Sequence, residues 1–190
     1  MSLMPAFEIG IWNAWLFMIV FPLQWLTVAI FPERIGQRTG SPPGTGQDRR
    51  IRLINLATMA LWVISSLYSI FLPLHIATAW FYVGLGAFII GVVLLVFTTV
   101  NIYHTPSSEP FTRGAYRFSR HPGYLSMIFI YLGASIAAAS WLFLLITVIT
   151  FFLLRYEVWL EETYCGGKFG RAYREYMDRT PRWIGLPKSG

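Results

Sequence analysis

Two short stretches of this 190-residue chain place charged and imidazole side chains where an apolar run begins or ends. The first, GAYRFSRHPGYLS at 114–126, carries Arg117, Arg120 and His121 directly ahead of an unbroken apolar segment. The second, RYEVWLEETY at 155–164, carries Arg155, Glu157, Glu161 and Glu162 just past the end of another. Carboxylates beside bases can pair with one another, recognise a charged ligand, or pass a proton. Glu157 and Glu161 are four residues apart and share one face of a continuing helix, and Arg155 lies two turns before Glu162 on a common face. Carboxylates at a membrane boundary are costly unless paired or exposed. The plain reading is therefore structural: Arg117 and Arg120 anchor a helix end, His121 and Tyr124 are interfacial, and the glutamates pair with nearby arginines.

The elements that must position these residues are apolar helices. Charged residues make up only 13% of the chain and hydrophobic residues 55%, whereas soluble domains carry about 25% charged residues. The composition predicts an all-α integral membrane protein. Apolar stretches close to the roughly 20 residues that cross a bilayer recur at about 7–31, 53–74, 80–100, 122–138 and 141–157. The last two form one run too long for a single crossing, divided near Ala138 to Trp141, where small residues meet an interfacial aromatic. Pro22 marks a kink in the first stretch. That stretch lacks the basic leading region of a signal peptide and is expected to stay as an anchor.

The 15 Lys and Arg residues test this arrangement. They fall at 34–52, at 113–120, at 155 and at 168–188, and none lies in the amino-terminal segment, the 74–79 turn or the 138–141 turn. The positive-inside rule then places the amino terminus outside and the carboxyl terminus in the cytoplasm, with about five transmembrane helices. It also accounts for the net charge of +6 without a nucleic-acid partner. A single Cys and three scattered His exclude a disulfide framework and a four-Cys zinc site, and no metal is expected. No obligatory protein partner is evident.

Three further segments carry local expectations. Residues 32–52 are rich in Gly, Pro and Arg and read as a flexible connector near anionic headgroups, without a phosphate-binding fingerprint. KFGRAYREYMDRT reads as a short amphipathic helix lying on the headgroups, with Phe169, Tyr173, Tyr176 and Met177 on one side. Pro122 suits the first turn of a helix, and Gly166 and Gly167 should interrupt or end the helix that carries the glutamates.

GAYRFSRHPGYLS, followed about 35 residues later by EE and then by FG, Y..Y and a basic residue near the end, resembles the membrane methyltransferases. These include isoprenylcysteine carboxyl methyltransferases and phospholipid N-methyltransferases, and TVNIYHTPSSEPFTRGAYRFSRHP is similar to the phospholipid branch. The resemblance covers roughly 98–187, a catalytic half completed by a cytoplasmic tail at 158–190 within one transmembrane domain, 1–190. It implies S-adenosylmethionine as cofactor in a cytoplasmic pocket. The residues it implies for the cofactor are Tyr116, Arg120, His121, Pro122 and Tyr124 on one side, and Glu161, Glu162, Phe169, Gly170, Tyr173 and Arg182 on the other. It further implies a lipid or lipidated methyl acceptor reached from within the bilayer. If that acceptor is an amine, Glu157 or Glu161 is placed to take its proton; if a carboxylate, Arg155 or Arg120 is placed to orient it. A thiol acceptor is also open. The sequence departs from the family pattern at Gly166–Gly167 and in the WIGL that separates Arg182 from Pro187.

Two other classes compete. A sterol-reductase-like enzyme using NADPH shares a related carboxyl-terminal half, but its relatives are much longer. A non-catalytic lipid-binding scaffold or transporter subunit would place ionisable residues deep in its spans. Here only Glu8, at the outer margin, and Arg155, at an inner end, come close to them.

Overall fold

The computed structural model describes residues 7–35 and 49–188, so most of the Gly- and Pro-rich connector at 32–52 lies outside the described residues. Among those residues every regular element is a helix: α1 (Trp15–Met18), α2 (Val20–Ile30), α3 (Arg49–Ile70), α4 (Ala79–His104), a 3-10 turn (Gly114–Arg117), α5 (Pro122–Ala137), α6 (Trp141–Phe169) and α7 (Arg171–Arg179). Three of these, α3, α4 and α6, are long and apolar enough to cross a membrane. They expose large apolar side chains such as Leu56, Ile89, Val96 and Phe152, the pattern of a helix solvated by lipid. This is a membrane protein.

Of the other two expected spans, the first is shorter than predicted, and the second, expected at 122–138, is met by α5. Residues 7–14 are not helical. Asn13 instead folds this segment onto the end of α3, its Nδ2 donating to Glu8 O (2.6 Å) and Ile70 O (2.7 Å). The break between α1 and α2 falls at Ile19, one turn before Pro22, where the proline ring crowds the preceding carbonyl. The second short helix, α5, has 16 residues, which is about 24 Å of rise. Its centre is enclosed by protein: Ile130, Tyr131 and Ala134 are fully buried, so its length need not match the bilayer.

The tightest packing in the molecule runs between α4 and α5. A Cβ added to Gly84 would stand 2.5 Å from Ala137 N and 2.6 Å from Gly133 O. One added to Gly91 would meet Ile130 N at 2.9 Å. Only glycine lets the two backbones approach this closely, the small-residue solution to helix association in lipid. The seam fixes α5 rigidly on α4, and with it the residue at its N-terminus, His121. Pro122 occupies the first turn of α5 as expected.

The long α6 begins at Trp141, capped by Ser140, whose Oγ accepts from Phe143 N at 3.2 Å. The division expected near Ala138 to Trp141 is where the chain turns. The helix then continues for 29 residues, about 43 Å, against the roughly 30 Å of a hydrocarbon core. Its last turns therefore project beyond the apolar layer and carry Glu161 and Glu162. The expected interruption at Gly166 and Gly167 does not occur; the helix runs through both and ends at Gly170, whose φ of +57° suits a residue without Cβ. Two glycines cost about 1 kcal/mol each in a helix, less than the packing at either side provides. Glu162 on one side and Phe169 on the other are held by tertiary contacts.

Candidate functional site

The charged residues singled out in the two motifs converge at one end of the bundle. The loop before α5 lies against the chain that follows α7. Arg120 N–H donates to Pro181 O (3.0 Å) and Gly185 N–H to Phe118 O (3.1 Å). Ser119 Oγ donates to Arg182 O (3.3 Å) and accepts from His121 N–H (3.0 Å). This short tie presents Arg120 and His121 to the projecting end of α6.

Glu162 is the centre of the resulting cluster. Its side chain is 4% exposed, and it faces Arg120 Nη2 (3.3 Å to Oε1), Arg182 Nη2 (2.5 Å to Oε2) and His121 Nε2 (3.2 Å to Oε1). Arg182 adds a second bond from Nε to Oε1 at 3.2 Å, making a forked pair. Burial alone would raise the Glu162 carboxyl; the hydrogen bonds from His121 and Arg182 and the charge of Arg120 outweigh it and bring the pKa down to about 2. Burial likewise disfavours charge on His121, but the Glu161 and Glu162 carboxylates overcome it and raise the imidazole above its ordinary value.

Glu161 has a different setting. It is 35% exposed and meets His121 Nδ1 at 3.5 Å. The two adjacent glutamates thus divide, one saturated by Arg120, Arg182 and His121, the other shared between His121 and the Tyr124 hydroxyl and still partly open to solvent. On the base side, Arg120 Nε is buried and lacks a hydrogen-bond partner among the described residues. Tyr124, half-buried on the first turn of α5, sets its ring 5.7 Å from that of His121. Glu157, half-buried, lies one turn nearer the apolar layer on the same helix.

Of the other aromatic residues expected around a cofactor, Tyr116, Phe169 and Tyr173 pack together behind this cluster. Tyr116 and Tyr173 are buried in an apolar cluster with Ile35, Ile102 and Tyr176, against which Phe169 packs. Tyr116 stacks on Phe111 at 5.3 Å, and Tyr176 donates its hydroxyl to Tyr116 O at 2.7 Å. Burial foremost pushes the Tyr173 and Tyr176 hydroxyls well up, so both stay neutral. The amphipathic α7 thus turns its aromatic face onto protein, not onto headgroups as expected.

Residues 80–172 match the family model of the phospholipid methyltransferases. The match bears out the resemblance carried by the Arg-His-Pro and Glu-Glu motifs and points to a methyltransferase acting on lipids. The phospholipid methyltransferase region runs from α4 into the start of α7. It includes Arg120, His121, Glu161 and Glu162, while Arg182, which completes the cluster, lies beyond it. Neither a curated protein nor a solved structure matches the chain.

Within this phospholipid methyltransferase region, Arg155 does not join the cluster. It is exposed and makes no ion pair among the described residues. Seven residues return a helix to the same face but separate two side chains by about 10 Å along the axis, too far for the pairing with Glu162. Residues that sequence reasoning passed over include Ser119, which ties the loop to Arg182, and Asn101, against whose side chain Gly114 (φ +58°) packs too closely for a Cβ. Ser119 lies inside the quoted motif, so its position was the signal; Asn101 carried none.

Proposed function

We propose that the protein is an S-adenosylmethionine-dependent methyltransferase that methylates a phospholipid amine at the cytoplasmic membrane surface, within one transmembrane domain spanning 1–190. The observation that carries this reading is the unequal pair Glu161 and Glu162 beside Arg120 and His121. Glu162 is a positioning residue: with its oxygens occupied by Arg120, His121 and Arg182, it locks the loop, α6 and the tail into one wall. Glu161 and the unsatisfied Nε of Arg120 remain for a ligand that carries both an ammonium or hydroxyl donor and a carboxylate.

S-adenosylmethionine has that donor set, and when bound it supplies an electrophilic methyl group. Glu161 would accept from its ammonium or ribose hydroxyls, Arg120 would face its carboxylate, and Tyr124 and His121 would border it. Pro122 starts the helix that holds this edge. Tyr116, Phe169 and Tyr173 support the wall from behind by packing. Glu157, one turn deeper, is suited to take the proton of an amine held at the membrane boundary. Holding acceptor and donor in line supplies most of the acceleration in such a transfer, and the ion-paired wall provides the rigidity this requires.

The experiment is calorimetric titration of S-adenosylhomocysteine into the full chain in lipid nanodiscs, with NADPH as comparison. Binding of the first alone is expected, and Glu161→Gln should weaken it by about tenfold or more, the worth of one charge-assisted hydrogen bond, with thermal stability retained. Binding of NADPH, or unchanged affinity in Glu161→Gln, overturns the assignment.

A further inference from the structure

A second polar concavity lies apart from the Glu161 cluster, between the 3-10 turn, α7 and the chain end. It encloses about 420 Å³, and Arg117, Arg179 and Lys188 line it. The carboxylate in its wall, Glu175, is engaged by Arg171 Nε at 2.7 Å. None of the three cations has a carboxylate partner among the described residues. Lys188 N–H donates to Arg179 O at 2.9 Å, which holds the chain end on the last turn of α7 and keeps two of the cations together. A volume of this order suits a small ligand, and unopposed guanidinium and ammonium groups select a phosphate.

The surroundings say which phosphate. Next to this cleft, Phe118, Ile184 and Leu186 are 49%, 71% and 82% exposed. The bond from Gly185 N–H to Phe118 O joins the two segments that bear them. Between them Trp183 sets its ring 5.3 Å from that of Phe151 on α6. Phe151 precedes Glu161 by ten residues, about 15 Å along the helix towards the apolar layer. The chain end therefore runs along α6 towards the apolar layer, with Phe118, Ile184 and Leu186 exposed beside the cations of the cleft. A soluble anion has no use for the exposed apolar side chains, whereas a phospholipid presents a phosphate above its acyl chains.

We propose that this cleft docks the headgroup phosphate of an anionic phospholipid, with Arg117, Arg179 and Lys188 on the phosphate and Phe118, Ile184 and Leu186 among the acyl chains. The site differs from one for the methyl acceptor, because its carboxylate is already paired and leaves no base for an amine. The inference rests on the membrane setting and not on the methyltransferase reading.

Native mass spectrometry of the full chain in uncharged detergent, offered dioleoyl phosphatidylglycerol or dioleoyl phosphatidylcholine, tests it. The wild-type protein should retain phosphatidylglycerol preferentially, on the order of tenfold or more for three basic residues. The triple variant Arg117→Gln, Arg179→Gln, Lys188→Gln should lose that preference. If the triple variant does not fold, Lys188→Gln alone reads the same effect, with a loss of about fivefold for one charge. Ile184→Ser with Leu186→Ser should weaken retention of the lipid while leaving the cations in place. An unchanged preference in the charge variants overturns the proposal. Displacement of the lipid by millimolar inorganic phosphate, with no effect of the apolar changes, would assign the cleft to a soluble anion. Displacement by S-adenosylhomocysteine would assign it to the cofactor.

Discussion

At the Ala137 end of the bundle the chain is tied by neutral groups, and at the Pro122 end by charged ones. Asn13 bridges two carbonyls at the first, Ala14 N–H reaches Leu72 O (2.8 Å), and His75 N–H reaches Ala137 O (3.0 Å). These bonds gather the three segments that lack Lys and Arg. At the other end Arg120, His121 and Arg182 surround a single carboxylate. Both ends close the same helices, so closure does not require charge. The charged end also has more polar capacity than closure uses, in Glu161 and in Arg120 Nε. That surplus is the physical mark of the candidate site.

The comparison breaks most visibly at Glu162. Glu162→Gln leaves two guanidiniums without their counter-ion, and His121 with Glu161 alone, and should cost about 3–5 kcal/mol, the usual penalty for removing one member of a buried ion pair. Chemical or thermal unfolding in detergent would measure it. A loss below about 1 kcal/mol would mean that water already solvates the cluster.

The pH dependence should separate the two ends. With its pKa lowered from 4.5 to about 2, Glu162 contributes stability that is complete above pH 4.5 and is lost as pH falls towards 2. His121, raised above 6.5, contributes stability that is complete below pH 6.5 and fades as pH climbs through its raised value. Thermal midpoints recorded across this range should fall on both limbs for the wild-type protein, and Glu162→Gln should flatten the acid limb.

At the neutral end, Asn13→Leu removes two hydrogen bonds from a residue 2% exposed and leaves two carbonyls unpaired. A loss of about 1–3 kcal/mol is expected, shifting the whole pH curve down without changing its shape. A change of shape would show that the two ends are coupled. The smallest effect sharpens the comparison along α6. Beyond its own stretch of helix, no atom of the described residues lies within 4 Å of a Cβ at Gly166, so Gly166→Ala should stabilise by about 0.5–1 kcal/mol through backbone entropy. Destabilisation there would mean that the projecting end of α6 must bend.

Several boundaries were legible because local chemistry decides them. Pro122 starts α5 because its missing N–H costs nothing in a first turn, and the chain turns at Ala138–Ser140 where the long apolar run had to divide. The conjunction of Arg120, His121 and the two glutamates was legible as motif. Less legible was the continuation of α6 through Gly166 and Gly167, which propensity opposes and tertiary contacts on either side impose. The pairing of Arg155 with Glu162 does not form because helical periodicity reports the face of a side chain and not its reach. The backbone contact of α4 with α5 left a faint sign in Gly84 and Gly91, seven apart on one face.

The sequence by itself determined that this is an apolar, helical membrane chain, that its cations collect in a few segments between the spans, and that two motifs carry its polar chemistry. These follow from composition and period, which act locally. Only the tertiary structure decided which of two adjacent glutamates is saturated and which is open, which tyrosines are core, and that the chain end turns back along α6 beside a basic cleft. Those outcomes depend on groups far apart in sequence meeting at hydrogen-bond distance, and no local pattern encodes that distance.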